Sequence, residues 1–195
     1  VSTLLAVLTV VVSLTVGFLV NGSPFATVPV TALQRYGGIT LSAIGAFEFW
    51  RIAAAQLLHA KMLHMLFNAI CIFFLGNLLE SRIGGFRLFL VWLVAGCLAT
   101  LLSPVLLPPP WNVGTGASQA VFAMAGCAGV FVLTEGRQRL LLAGALMLAV
   151  LPGLMLDMIS AGYPKIGHLS GFLFGAIFGF SFKALDGRPN RPERF

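Results

Sequence analysis

The run Gly167-His168-Leu-Ser-Gly171-Phe-Leu-Phe-Gly175-Ala-Ile-Phe-Gly179 sets a glycine at every fourth position of an apolar stretch, with a histidine beside the first. On a helix these glycines line one side, and such a stripe of small residues lets a neighbouring backbone approach closely. By itself the stripe means tight packing. His168 at its head would be held against whichever helix docks there. A second apolar stretch offers that partner through Gly116, Ala120, Ala123, Gly126 and Cys127, and it carries Ser118 near its start. A serine and a histidine that meet inside an apolar bundle can do acyl-transfer chemistry.

Composition puts the bundle in a membrane. The chain has 195 residues, 58% hydrophobic and 9% charged, with a mean hydropathy of +0.98; a soluble domain carries about a quarter charged residues. Apolar runs long enough to cross a bilayer, about 20 residues each, fall at 3–20, 57–79, 86–107, 116–134, 139–158 and 165–184. The expected fold is therefore all-α, a compact six-transmembrane-helix bundle forming one domain over 1–195. The first run has no charged segment before it and no clear small-residue cleavage site after it, so it reads as a span rather than a signal peptide. Residues 21–56, which end in Phe47-Glu-Phe-Trp50-Arg51, are too apolar for a solvated loop and too broken for a span. Trp beside Arg suits the headgroup level, and the segment is read as a membrane-interfacial loop. Cys71, Cys97 and Cys127 are odd in number, lie in apolar runs and lack metal-ligand spacing, which makes them small core residues.

The net charge of +6 is distributed as a topology signal. Arg82, Arg87, Arg137, Arg139, Lys183, Arg188, Arg191 and Arg194 fall on one side of the six spans, and Arg35, Arg51, Lys61 and Lys165 on the other, eight against four. The positive-inside rule then predicts cytoplasmic termini. The basic tail, 185–195, is expected on anionic headgroups of the inner leaflet rather than on nucleic acid. A bacterial inner membrane is the expected location. Spans two, four and six then run inward from the outer face, so His59, His64, Ser118 and His168 all sit towards the outer leaflet. At 1.5 Å per residue, Ser118 and His168 fall within roughly 5–10 Å of the outer hydrocarbon boundary.

The stretch Trp111-Asn-Val-Gly-Thr-Gly116-Ala-Ser118 is an irregular, glycine-rich lead into a helix. Serine in a membrane helix commonly bonds back to a carbonyl one turn earlier. At a helix N-terminus, however, it stands beside unpaired N–H groups that suit an anion. His168 is the available base. His64 and Asn68, four apart on one helical face, could donate hydrogen bonds into a shared cavity; the plain alternative is interhelical bonding for packing alone. His59 lies about 140° away from His64 around the helix and is expected to bond to the interfacial segment. Glu80 and Arg82, with Asn77, are expected to tie the cytoplasmic loop together. Asp157, at the end of span five, is read as a water-exposed turn rather than a third catalytic member. No metal or cofactor is called for.

Taken in order, Trp50-Arg51, His59-x4-His64-x3-Asn68, Glu80-x-Arg82-x-Gly84, Gly116-x-Ser118 and Gly167-His168-x-x-Gly171 resemble the rhomboid family of intramembrane serine proteases. The resemblance spans the six-helix core. It implies Ser118 as nucleophile, His168 as general base without an acid, and an oxyanion hole of His64, Asn68 and the Ser118 N–H. It also implies that Trp50-Arg51 belongs to a membrane-dipping first loop and Glu80 with Arg82 to a structural network. The family cuts transmembrane segments of other membrane proteins near the outer face, which makes single-span or polytopic membrane proteins the expected partners. Two positions depart from its pattern. Gln119 follows the serine where the family usually has Gly, and is expected either to point away or to alter a subsite or the serine's strain. Phe122 stands where a tyrosine often stacks beneath the histidine, and keeps the ring. The rival readings are a pseudoprotease that binds membrane helices without cutting them, a transporter or channel, and a small scaffold.

Overall fold

The structure is a computed structural model that describes residues 1–106, 112–134, 139–159 and 165–187. Helix α1 runs Ser2–Asn21 and closes on Gly22, whose φ of 66° takes the left-handed cap and returns its N–H to Phe18 O. Three short helices follow: α2 (Val30–Tyr36), α3 (Leu41–Gly45) and α4 (Trp50–Ala54). A 3-10 turn at Ala55–Leu57 and extended backbone at Leu58 and Lys61 delay the next helix. Helix α5 therefore covers Met62–Ile83 rather than the expected 57–79, and Gly84 at φ 83° ends it. Helices α6 (Gly85–Leu90) and α7 (Gly96–Leu106) are joined by a π-helical turn at Val91–Ala95. Helices α8 (Ser118–Thr134), α9 (Arg139–Ile159) and α10 (Lys165–Asp186) complete the chain.

Among the described residues, Ser2–Asn21, Met62–Ile83, Gly85–Leu106 and Ile166–Asp186 are long and apolar enough to cross a membrane. Ser118–Leu133 and Arg139–Met155 are shorter apolar helices. The protein is an all-helical membrane bundle. The basic stretch beyond Gly187, Trp111 and the Glu135–Arg137 turn lie outside the described residues. Asp157 falls within α9 instead of in a turn after it, with its side chain outside the described set.

Helix α8 is the centre of the bundle, and every residue from Gly116 to Ala128 is buried. Its most extensive partner is α10. A Cβ at Gly171 would lie 2.5 Å from Gln119 O, one at Gly175 would strike Ala123 O, and one at Gly179 would lie 3.0 Å from Cys127 O. Steps of four on both helices in the same direction make α8 and α10 parallel. The glycine stripe is thus a backbone-to-backbone contact that any side chain would force apart. Gly96 brings α7 equally close to α8, with room for a Cβ only 2.6 Å from Ala120 Cβ.

Glu80 does not bind within its own loop. Its carboxylate accepts from Ser2 N at 2.8 Å and from Ser2 Oγ, so it fastens the end of α5 to the start of α1. Asn77 donates to Phe73 O in its own helix. Glu80 and Asn77 therefore do not tie the cytoplasmic loop as expected, because α1 folds back alongside α5 and offers Glu80 the nearer donors. Arg87 and Asp186 form a bidentate pair at 2.7 and 2.9 Å, joining α6 to the end of α10. The three cysteines are unpaired and buried.

The first loop is organised around Arg51. Its guanidinium donates to Glu48 Oε2 at 2.6 Å and to Gln34 O at 2.5 Å, and stacks 4.7 Å from the centre of the Trp50 ring. Phe25, Phe47, Phe49 and Trp50 remain exposed. Two further bonds carry the loop to the site. Ile39 and Gly114 exchange backbone hydrogen bonds at 3.0 and 2.9 Å, and Gly116 N donates to Ala55 O at 2.9 Å.

Candidate active site

Gly116 sets the geometry of the lead into α8. Its φ of 96° is open to glycine and costly for any other residue. That conformation turns the chain, so α8 starts at Ser118 rather than at 116. Ser118 is the first helical residue; its N–H has no carbonyl four residues back in the helix to bond.

The parallel docking of α8 and α10 brings Ser118 to His168. Ser118 Oγ lies 2.9 Å from His168 Nε2, with both residues buried. That distance suits proton transfer from hydroxyl to imidazole. Phe122, one turn further along α8, stacks on the His168 ring with centroids 4.4 Å apart and planes 5° from parallel. A Cβ at Gly153 of α9 would lie 2.6 Å from that ring, so the third helix leaves space for the phenyl group.

His59 does not bond to the interfacial segment. Ser13 Oγ of α1 donates to Leu57 O at 2.7 Å. Its contact with His59 Nδ1 at 3.1 Å is therefore one in which Nδ1–H donates to the serine. His59 Nε2 is then an acceptor, taking Ala117 N–H at 3.1 Å and the Asn68 amide at 3.2 Å. A ring that accepts at one nitrogen and donates at the other is neutral. Extended backbone before α5 swings His59 inwards, which a continuous helix from residue 57 would not allow. One imidazole thus joins α1, α5 and the peptide just before Ser118.

Asn68 is buried, and its amide also donates to His64 O at 3.0 Å. Both amide hydrogens are engaged in this state. The His64 ring stands edge-on to His59 with centroids 5.3 Å apart, and its Cε1 lies 3.5 Å from where a Gly116 Cβ would be. The sequence-predicted residues therefore form two groups that meet at the Gly116–Ser118 peptides. Ser118, His168 and Phe122 form the first; His59, His64 and Asn68 form the second. Trp50, Arg51, Glu80 and Arg82 belong to the loop and the opposite helix ends, and Gly171 acts through backbone packing.

Gln119 is the residue whose placement the sequence did not foretell. It does not point away from the serine. Its Oε1 lies 3.2 Å from Ser118 Oγ, and the residue is wholly buried.

Comparison with known proteins gives the family. A family model described as Rhomboid domain matches residues 46–184, and the chain belongs to the rhomboid family. It is 32% identical over 151 residues to Rhomboid-like protease 3 of Toxoplasma gondii, which covers 73% of this chain and 55% of that protein. It is 30% identical over 152 residues to RHOMBOID-like protein 4 of Arabidopsis thaliana, covering 76% and 38%. Against Rhomboid protease GlpG of Haemophilus influenzae it is 28% identical over 141 residues, covering 68% and 69%. The chain thus spans about half or less of the first two relatives.

Proposed function

We propose that this protein is an intramembrane serine endopeptidase that cuts transmembrane segments of other membrane proteins near the outer face. The observation that carries this reading is the 2.9 Å contact between Ser118 Oγ and His168 Nε2 at the start of two closely packed parallel helices. His168 Nε2 takes the Ser118 proton as Oγ bonds to the scissile carbonyl carbon, and the carbonyl electron pair moves onto oxygen. The Ser118 N–H, His64 and Asn68 stabilise that oxyanion, each donor being worth about 3 kcal/mol when preorganised. Asn68 does so by exchanging its bond to His64 O for one to the oxyanion. Collapse expels the amine, which takes the proton from His168. Water then attacks the acyl-enzyme with His168 again as base, and the released proton returns to Ser118 Oγ.

The substrate helix must unwind locally, because its carbonyls are bonded within the helix. Marginal helices of single-span or polytopic proteins are therefore the substrates. The six apolar helices span the bilayer as one domain. Residues 21–56 lie at the outer interface, both termini and the 185–195 tail lie in the cytoplasm, and the membrane is a bacterial inner membrane.

A fluorophosphonate probe tests the nucleophile. The purified protein in detergent is expected to gain one phosphonyl group on the peptide carrying Ser118, and His168→Ala to lose that labelling. Labelling of the parent elsewhere, or equal labelling of Ser118→Ala, would contradict the assignment and favour a pseudoprotease.

A further inference from the structure

Gln119 sits beside the reacting atoms with half of its amide unused. Its Oε1 faces Ser118 Oγ at 3.2 Å, while its buried Nε2 has no hydrogen-bond partner among the described residues. Its main chain is held, because Gly171 of α10 rests against Gln119 O. The side chain therefore has a fixed root and one free choice, which end of the amide meets the serine.

That choice controls where the serine proton goes. A serine hydroxyl has one hydrogen and two acceptor sites. With Oε1 towards the serine, the hydrogen goes to Gln119. The 2.9 Å contact with His168 can then be a hydrogen bond only if Nε2 of the imidazole carries a proton, which occupies the lone pair a base needs. A half-turn of the amide reverses both bonds. Gln119 Nε2–H then donates to Ser118 Oγ, the serine hydrogen falls on His168 Nε2, and the amide nitrogen gains the partner it lacks. The amide is then left with one unpaired donor and one unpaired acceptor in place of two unpaired donors.

We propose that Gln119 is a positioning residue for the nucleophile, whose amide donates to Ser118 Oγ and thereby directs the serine proton onto His168. This rests on the Ser118–His168 protease reading. In the attack step Gln119 neither gains nor loses a proton. It fills one acceptor site of Oγ, so the other lone pair faces the substrate carbonyl and the O–H faces the base.

The test compares the parent, Gln119→Met and Gln119→Glu on a tagged single-span reporter in detergent, with Ser118→Ala and His168→Ala as controls. Met conserves length and removes the donor. Glu is an acceptor only once its carboxyl ionises, which burial displaces to higher pH, and it keeps a donor while it holds its proton. The expected result for Gln119→Met is a kcat lower by about tenfold or more with KM changed by less than about twofold. Gln119→Glu is expected to lose rate relative to the parent as pH rises and its carboxyl ionises, and to regain it as pH falls. A purely structural role would not give that pH dependence. Parental kcat in both variants at every pH would overturn the proposal. So would equal impairment of both across the pH range with lowered thermal stability. Cleavage by Ser118→Ala equal to the parent, or none by the parent, would remove the underlying protease reading instead.

Discussion

Phe122 and His168 lie face to face, with ring centroids 4.4 Å apart and planes 5° from parallel. The stack holds the imidazole edge towards Ser118, and Gly153 gives the phenyl ring its space. An aromatic pair of this kind is worth about 0.5–1.5 kcal/mol beyond burial. Phe122→Ala is therefore expected to lower kcat by up to about tenfold, since 1.4 kcal/mol is a factor of ten. Phe122→Tyr should retain parental kcat. Steady-state cleavage of a reporter separates the two; equal rates for all three proteins would show that the stack does not orient the base.

The glycine stripe makes a stability prediction. Gly175→Ala drives a methyl group into Ala123 O, and overpacking of this kind costs about 1–3 kcal/mol. Gly144→Ala meets nothing within 4 Å and should be neutral or slightly stabilising. Thermal unfolding in detergent is expected to separate these two variants by several degrees.

His59 makes a different prediction from that of a surface histidine. His59→Phe leaves Ser13, Asn68 and the Ala117 N–H without their common partner, and a buried group left unsatisfied costs about 1–3 kcal/mol. The variant should unfold at lower temperature. It should also lose kcat, because the Ala117–Ser118 peptide is no longer anchored. A variant with parental stability and rate would mean that these three bonds contribute nothing.

The topology can be read by thiol labelling, since the native cysteines are buried. Lys61 and Ser81 are both exposed, at opposite ends of α5. A cysteine at Lys61 should react with a membrane-impermeant maleimide in intact cells, and one at Ser81 only after permeabilisation. The reverse pattern would invert the proposed orientation.

Much of this site was legible in the sequence because a bilayer makes polar residues conspicuous. Ser118 and His168 stand out in apolar runs, and the glycine stripe beside His168 already implied a close helix partner. Phe122 was legible only through the family resemblance, which sets an aromatic ring four residues after the serine. The partners of His59 were not, because they depend on where α5 begins. That start is set by the 3-10 turn and the extended residues after it, which hydropathy does not register. Of the two alternatives for Gln119, pointing away fails for a similar reason. A polar residue one step after the serine looks free to turn outwards, yet the α10 backbone against its carbonyl leaves it wholly enclosed. The π-helical turn at Val91–Ala95, which packs against α8, had no sequence signal at all.

The most direct test is cleavage of a tagged single-span membrane reporter by the purified protein, beside Ser118→Ala and His168→Ala. The account predicts one cut near the reporter's outer end, made by the parent and abolished in both variants. Cleavage that persists in either variant, or a parent that binds the reporter and leaves it whole, would contradict the Ser118–His168 protease.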